Sequence, residues 1–101
     1  MARPTGMVPC LITDSHRDVF FGTVDFDTYD PRDGWVALDD ARHCYSFPTT
    51  EGVYQLAQTG PPLAGSRIGP TVPFIILRDV VSVTPCSPAA VRAFRAVKWT
   101  R

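Results

Sequence analysis

Arginine is the residue type in this chain that is best suited to binding an anion, and it supplies nine of the ten basic residues. Its planar guanidinium can donate two parallel hydrogen bonds to a phosphate or a carboxylate. Arg42 and Arg67 flank a predicted helix and a loop rich in glycine and proline, where backbone amides could join them around a phosphate. The sequence therefore predicts a site for an anionic, nucleotide-type ligand formed by Arg17, Arg42, Tyr45, Arg67 and Gly69, with Tyr45 as the stacking surface.

A second interpretation of these residues needs no ligand. Arg42 could pair with a nearby acid, and Tyr45 could simply cover the core. The acids within reach along the chain are Asp39, Asp40 and Glu51.

The charges are unevenly distributed, although the chain has no net charge. Residues 1–51 hold nine of the ten acids, and residues 52–101 hold six of the ten bases. This segregation predicts either pairing between the two halves or opposed surface patches that join subunits or bind an anion.

Residues that could support catalysis or metal binding are present in unsuitable places. His16 lies with Asp14 and Asp18 in one predicted turn, where carboxylates typically cap the backbone and water screens charges. His43 and Cys44 are adjacent, so on a strand they point to opposite faces and cannot easily share a metal. We therefore expect no enzyme activity, no metal and no cofactor.

Length and composition indicate one small folded domain covering residues 1–101, since 101 residues can bury a single modest core. No apolar run approaches the roughly 18 residues needed to cross a bilayer, and the first residues do not resemble a signal peptide, so we expect a cytoplasmic protein. The odd number of cysteines and the absence of a C-x-x-C pair predict buried thiols. These are Cys10, Cys44 and Cys86.

Alternating apolar and polar residues predict a mainly β fold. Phe20 and Phe21 should point to opposite faces of one strand, with the face of Gly22 turned inward. Residues Arg42–Phe47 either continue the third strand past a bulge near Asp39 and Asp40 or form a separate strand, and we favour the bulged continuation. The predicted strands are Val8–Thr13, Val19–Phe26, Trp35–Phe47, Val72–Leu77 and Val80–Thr84.

Two helices are predicted as additions to this sheet. A short one runs from Glu51 to Gln58, capped by Thr49 or Thr50 and stopped by Gly60 in a left-handed conformation. The second begins at Ser87-Pro88, which combine a capping oxygen with a preset backbone angle, and continues to about Lys98. Its inward stripe should be Val91, Phe94 and Val97.

Two segments resemble the signatures of Sm-like proteins. Phe21–Asp27 together with Trp35–Ala41 look like the first signature, and Ile75–Val83 is similar to the second. The resemblance implies a small five-stranded SH3/Sm-like barrel, ring assembly and RNA binding. Gly34 stands where that family usually has a base-contacting asparagine, and a helix separates the two signatures.

More of the chain resembles a family of small proteins encoded by tailed phages and prophages. The matching pieces are His16-Arg17, Phe20–Gly22, Ala41–Tyr45, Leu56-Ala57, Thr59–Pro61, Arg67–Pro70, Ser87-Pro88 and Trp99. This resemblance implies an accessory role in the cytoplasm of an infected host, and phage proteins of this size often counter host defences.

Three functions follow as hypotheses. The first is an oligomeric binder that sequesters a phosphorylated small molecule without turnover. The second is an inhibitor of a host protein that uses an exposed apolar patch around Tyr29, Trp35 and Trp99. The third is a binder of single-stranded RNA, which the neutral net charge disfavours.

Overall fold

The computed structural model describes residues 4–49 and 52–99. It is mainly β, with six antiparallel strands in one sheet and two short helices. The elements are β1 (Met7–Asp14), β2 (Val19–Asp25), a 3-10 helix (Pro31–Asp33), β3 (Trp35–Ser46), α1 (Gln55–Gln58), β4 (Arg67–Ile68), β5 (Val72–Arg78), β6 (Val80–Pro85) and α2 (Pro88–Ala96). The predicted count of five strands is wrong because β4 has only two residues, too few to show alternation in the sequence.

The sheet runs in the order β6, β1, β2, β3, and the far side of β3 is shared by two strands. β5 pairs with residues 35–41 of β3, while β4 pairs with residues 44–46. β5 and β6 follow one another through Asp79, which adopts a left-handed φ of 56°. They nevertheless lie at opposite edges of the sheet, and the described residues form no ladder between them that would close the predicted barrel.

The bulge predicted in the third strand is present and changes which side chains face the core. Asp40 has a φ of 51°, and the pairing register between β2 and β3 shifts there. Val36 and Leu38 are buried on one face before the bulge, and Ala41 is the next residue to share their cluster. The extra residue therefore turns Arg42 and Cys44 toward the opposite face.

Both faces of the sheet bury apolar side chains. One cluster lies under the helices, and the sheet curves around the other, to which β1, β2, β3 and both edge strands contribute. Phe21 and Phe20 separate as predicted: Phe21 stacks on Phe94 at 4.2 Å between ring centroids, whereas Phe20 packs on the second cluster. The helix-side cluster is Leu11, Val19, Phe21, Cys44, Leu56, Ala57, Ile68, Phe94 and Val97.

The helices are shorter than predicted. α1 begins at Gln55, and Tyr54 precedes it without a side-chain capping bond; the proposed cap Thr50 and the residue Glu51 lie outside the described residues. Gly60 follows α1 with a φ of 76°, as predicted for a left-handed stop.

The second helix starts where the sequence indicates. Ser87 accepts a hydrogen bond from the amide of Ala90, and α2 ends at Ala96, two residues before the predicted Lys98. The hydroxyl of Ser87 also donates to the carbonyl of Gln58, which ties α2 to the end of α1. Neither helix in the described part of the chain has the length and apolar character needed to span a membrane.

Candidate functional site

Arg42 is buried beneath α2, with 8% of its surface exposed. Its guanidinium donates three hydrogen bonds to backbone carbonyls: Nε to Gly69 at 2.7 Å, one terminal nitrogen to Phe94 at 2.6 Å and the other to Ile68 at 3.2 Å. Burial lowers the pKa of Arg42, because desolvation disfavours the charged form. Among the described residues its partners are thus backbone carbonyls and not the acids Asp39 and Asp40, while Glu51, the third acid considered, lies outside those residues.

The opposite face of the same stretch of β3 carries a row of aromatic side chains. Phe20 stacks on His43 with centroids 4.7 Å apart, and the edge of His43 meets Tyr45 at 4.4 Å. Tyr45 in turn lies 5.6 Å from Trp99, which follows α2. We call Phe20, His43, Tyr45 and Trp99 the aromatic row.

Two charged groups contact the aromatic row. The guanidinium carbon of Arg67 lies 5.0 Å from the centre of the Trp99 ring, at one end of the row, which is the geometry of a cation–π contact. Within the row, a carboxylate oxygen of Asp18 lies 3.6 Å from Nε2 of His43. Arg67 is exposed and has no carboxylate partner among residues 4–49 and 52–99. Its guanidinium therefore remains available to an anion.

The backbone of Gly69 lies directly against the aromatic row. Its amide donates to the carbonyl of His43 at 2.8 Å, and its own carbonyl accepts from Arg42. A Cβ at this position would lie only 2.9 Å from Cε2 of Tyr45. The absence of a side chain is thus what lets the Tyr45 ring lie against the backbone.

A cleft of about 230 Å³ opens beside the row. Its walls combine ring surfaces of the aromatic row with apolar residues of β3 and β5. The residues that line it are Phe20, Ala41, His43, Tyr45, Gly69, Pro70, Val72 and Ile75.

The structure brings together three of the five predicted ligand-binding residues. Tyr45, Arg67 and Gly69 meet at the aromatic row, whereas Arg42 lies on the other face of β3. Arg17 lies in the turn between β1 and β2, with a φ of 65°, and lines a separate cleft beside Phe47, Val53 and Tyr54.

His43, Phe20 and Trp99 are the members of this site that the sequence interpretation did not include. Two signals could have identified His43 and Phe20. His43 and Tyr45 are two residues apart on one strand and so share a face, and Phe20 lies near the start of the neighbouring strand, where it pairs with His43. The sequence places Trp99 only after a helix, and no local pattern indicates which strand it contacts.

The residues considered for catalysis or metal binding have structural roles instead. A carboxylate oxygen of Asp14 accepts hydrogen bonds from the amides of His16 and Asp18, as predicted for turn capping. Burial raises the thiol pKa of Cys10, Cys44 and Cys86 to about 12. No three histidine, cysteine or acidic side chains of the described residues gather closely enough to hold a metal ion.

Comparison with known proteins identifies a family. Curated proteins and solved structures gave no match. A family model described as a domain of unknown function, DUF6948, matches residues 7–94, which include every strand of the sheet and most of α2. Because that model spans most of the chain, the protein belongs to the DUF6948 family.

Proposed function

We propose that this chain is a non-catalytic binding module that holds an anionic, nucleotide-type ligand on the aromatic row. The observation that carries the proposal is that Arg67 and Tyr45 both contact Trp99, with the guanidinium 5.0 Å and the Tyr45 ring 5.6 Å from the centre of a Trp99 ring, and that the surface of Tyr45 is 54% exposed. An open aromatic ring can stack on a nucleobase, and an adjacent guanidinium can bind its phosphate. The two groups that such a ligand requires therefore both lie against Trp99.

The cleft beside the row favours a small ring as the inserted group. Its volume of about 230 Å³ is below the range of about 300–1,000 Å³ typical of sites that enclose a whole drug-sized molecule. A base would enter between Tyr45 and Pro70, with its sugar and phosphate directed toward Arg67. A ligand bound in this way stays partly in solvent.

The chemistry of the side chains favours retention of the ligand over turnover. With pKa values of about 12, the thiols of Cys10, Cys44 and Cys86 stay protonated at neutral pH and are poor nucleophiles. His43 faces Asp18 and two aromatic rings. We therefore propose sequestration, which agrees with the phage accessory role against host defences that the sequence resemblance implies.

The test is isothermal titration calorimetry with nucleoside monophosphates, dinucleotides and inorganic phosphate as probes. We expect at least one nucleotide to bind and phosphate alone to bind much more weakly, since it lacks a base. Tyr45→Ala should weaken nucleotide binding by about tenfold or more, as stacking contributes about 1–3 kcal/mol per base. Arg67→Gln should weaken it to a similar degree because a charged hydrogen bond is lost.

Two control variants make the same substitutions at exposed residues outside the aromatic row. Tyr54→Ala removes a ring of similar exposure, 48%, and Arg92→Gln removes an exposed arginine of α2; both should leave affinity within about twofold. Affinity that grows with the length of a single-stranded RNA and falls steeply with salt would favour the RNA-binding hypothesis instead. If no nucleotide binds at millimolar concentration, the proposal is wrong and the inhibitor hypothesis gains support.

A further inference from the structure

A second cleft, at the loop between β2 and β3, has aromatic and acidic walls. Its volume is about 250 Å³, and the exposed rings of Trp35 and Phe74 form part of its lining. The lining also includes four carboxylates, those of Asp25, Asp30, Asp33 and Asp39. We call it the acidic cleft. Among the described residues it has no member in common with the cleft beside the aromatic row, so the two are separate candidate sites.

The negative charge of the acidic cleft is only partly neutralised. No arginine, lysine or histidine of the described residues lines it. Asp30 pairs with Arg32, with 2.9 Å between a terminal nitrogen and a carboxylate oxygen. Asp25 accepts a hydrogen bond from a nearby backbone amide, which leaves its charge in place. Within residues 4–49 and 52–99, Asp25, Asp33 and Asp39 form no ion pair.

The neighbouring groove adds no excess of positive charge. It is lined by Arg78 together with Asp33, Asp79 and the ring of Trp35. Two carboxylates thus accompany one guanidinium there. The charge of the whole region around Trp35 therefore favours a cationic ligand.

The aromatic walls and the spacing of the carboxylates indicate which kind of cation fits. No three acidic side chains of the described residues gather closely enough to hold one metal ion, whose oxygen ligands must lie within about 2.6 Å of it. Aromatic rings attract organic ammonium groups over their faces. The cleft is therefore suited to an organic cation whose ammonium groups reach different carboxylates.

The edge of the cleft along β3 indicates the length of this cation. Trp35, Ala37 and Asp39 alternate with buried residues and so share one face of the strand. Trp35 and Asp39 are four residues apart, which corresponds to about 13 Å. Ala37 lies between them in the lining, and its small side chain leaves the space open.

From these walls we infer that the acidic cleft binds a linear aliphatic polyamine. One ammonium group contacts Trp35 and Asp33, and another contacts Asp39. The methylene chain between them packs over Ala37 and Phe74, which pairs with Asp39 across the sheet. Because the cleft is open to solvent, we expect a dissociation constant of about 10 µM to 1 mM.

NMR titration of the full chain with three dications tests the inference. They are octamethylenediamine, the shorter trimethylenediamine and Mg²⁺. The first should shift the amides that line the acidic cleft and leave those of the aromatic row unchanged. The other two have the same charge but cannot contact both ends, so each should bind at least about tenfold more weakly.

Two substitutions in the acidic cleft should weaken the binding of octamethylenediamine. Asp39→Asn removes the carboxylate at one end and Trp35→Leu the ring at the other, and each should raise the dissociation constant about fivefold or more. Asp40→Asn and Tyr54→Leu are the matched controls, because both residues are exposed and lie outside the cleft; they should leave it within about twofold. Circular dichroism verifies that each variant is folded.

Several results would overturn the inference. If the three dications bind equally tightly, or if Asp40→Asn acts as strongly as Asp39→Asn, general charge attraction is responsible. Absence of diamine binding at about 10 mM would also contradict it. A lysine-rich peptide that binds far more tightly than the diamine would assign the cleft to a protein partner instead. Nucleotide binding by Trp35→Leu should equal that of the wild type, so this inference and the proposed function can fail separately.

Discussion

The guanidinium of Arg42 donates a 2.6 Å hydrogen bond to the carbonyl oxygen of Phe94, which joins β3 to the last turn of α2. The last carbonyls of a helix have no partner inside it and carry the negative end of its dipole, so a buried cation is well placed there. The same guanidinium also binds the carbonyls of Ile68 and Gly69. One side chain thus connects the three segments that present Tyr45, Arg67 and Trp99.

Replacement of Arg42 by methionine should destabilise the fold strongly. The variant leaves three buried carbonyl groups without their donor, and we expect the free energy of unfolding to fall by about 3 kcal/mol or more. Arg42→Lys should recover only part of the loss, because one ammonium cannot reach three carbonyls in a planar arrangement. Urea unfolding monitored by circular dichroism measures both variants.

The control for this prediction is Arg67→Met, which removes an exposed arginine from the adjoining strand. Its effect on the free energy of unfolding should stay within about 0.5 kcal/mol, as is usual for surface positions. Equal losses in Arg42→Met and Arg67→Met would contradict the structural role of Arg42.

Local sequence signals predicted the elements more reliably than the contacts between them. Alternation separated Phe20 from Phe21, and Ser87-Pro88 marked the start of α2, because each signal depends only on neighbouring residues. The partners of Arg42 lie 26, 27 and 52 residues away along the chain. No pattern within the strand indicates them.

Strand alternation explains why the predicted site was only partly assembled. Arg42 and Tyr45 are three residues apart, so on a regular strand they point to opposite faces. The bulge at Asp40, which the sequence indicated without its effect on facing, decides that Arg42 turns inward and Tyr45 lies on the open face. β4 pairs with the end of β3 and places Arg67 opposite Ser46, the neighbour of Tyr45 in the chain, and both Arg67 and Tyr45 contact Trp99. A strand of two residues is too short for its pairing to be predicted from the sequence.

Alkaline pH should destabilise the protein through its three cysteines, of which Cys10 and Cys44 are buried as predicted and Cys86 is half-buried. Their pKa rises from 9.0 to about 12 on folding, so between those values the unfolded chain releases thiol protons that the folded chain keeps. These thiols therefore leave the free energy of unfolding unchanged below pH 8. They lower it as the pH rises above 9. At pH 10 each fully buried thiol should lower the free energy of unfolding by about 1 kcal/mol.

Urea unfolding at pH 8 and pH 10, in the presence of a reductant, measures this loss. Cys10→Ala should show a smaller drop between the two pH values, since Cys10 is fully buried and one titrating thiol is gone. Comparing the pH difference within each protein cancels the direct cost of the substitution. An identical drop in wild type and variant would show that groups other than Cys10 cause the alkaline loss.

Gly60 should tolerate a side chain far less well than Gly34. Both residues have a left-handed φ, but a Cβ on Gly60 would lie 2.9 Å from the carbonyl oxygen of Ala90 in α2, whereas nothing lies within 4 Å at Gly34. Gly34→Ala should therefore cost about 1 kcal/mol, for backbone strain alone. Gly60→Ala should cost about 3 kcal/mol, because α1 and α2 must separate. Thermal melting compares them, and similar values would contradict the close approach.

Gly69→Ala should separate ligand binding from stability. The added Cβ would lie 2.9 Å from Cε2 of Tyr45, and the exposed ring can rotate away, so the free energy of unfolding should fall by no more than about 1 kcal/mol. Rotation moves the stacking surface away from Arg67, and nucleotide affinity should drop about as far as in Tyr45→Ala. Calorimetry on Gly69→Ala, on Tyr45→Ala and on the variant that combines both substitutions measures these changes in nucleotide affinity. If the two substitutions weaken binding additively, Gly69 does not act through the position of Tyr45.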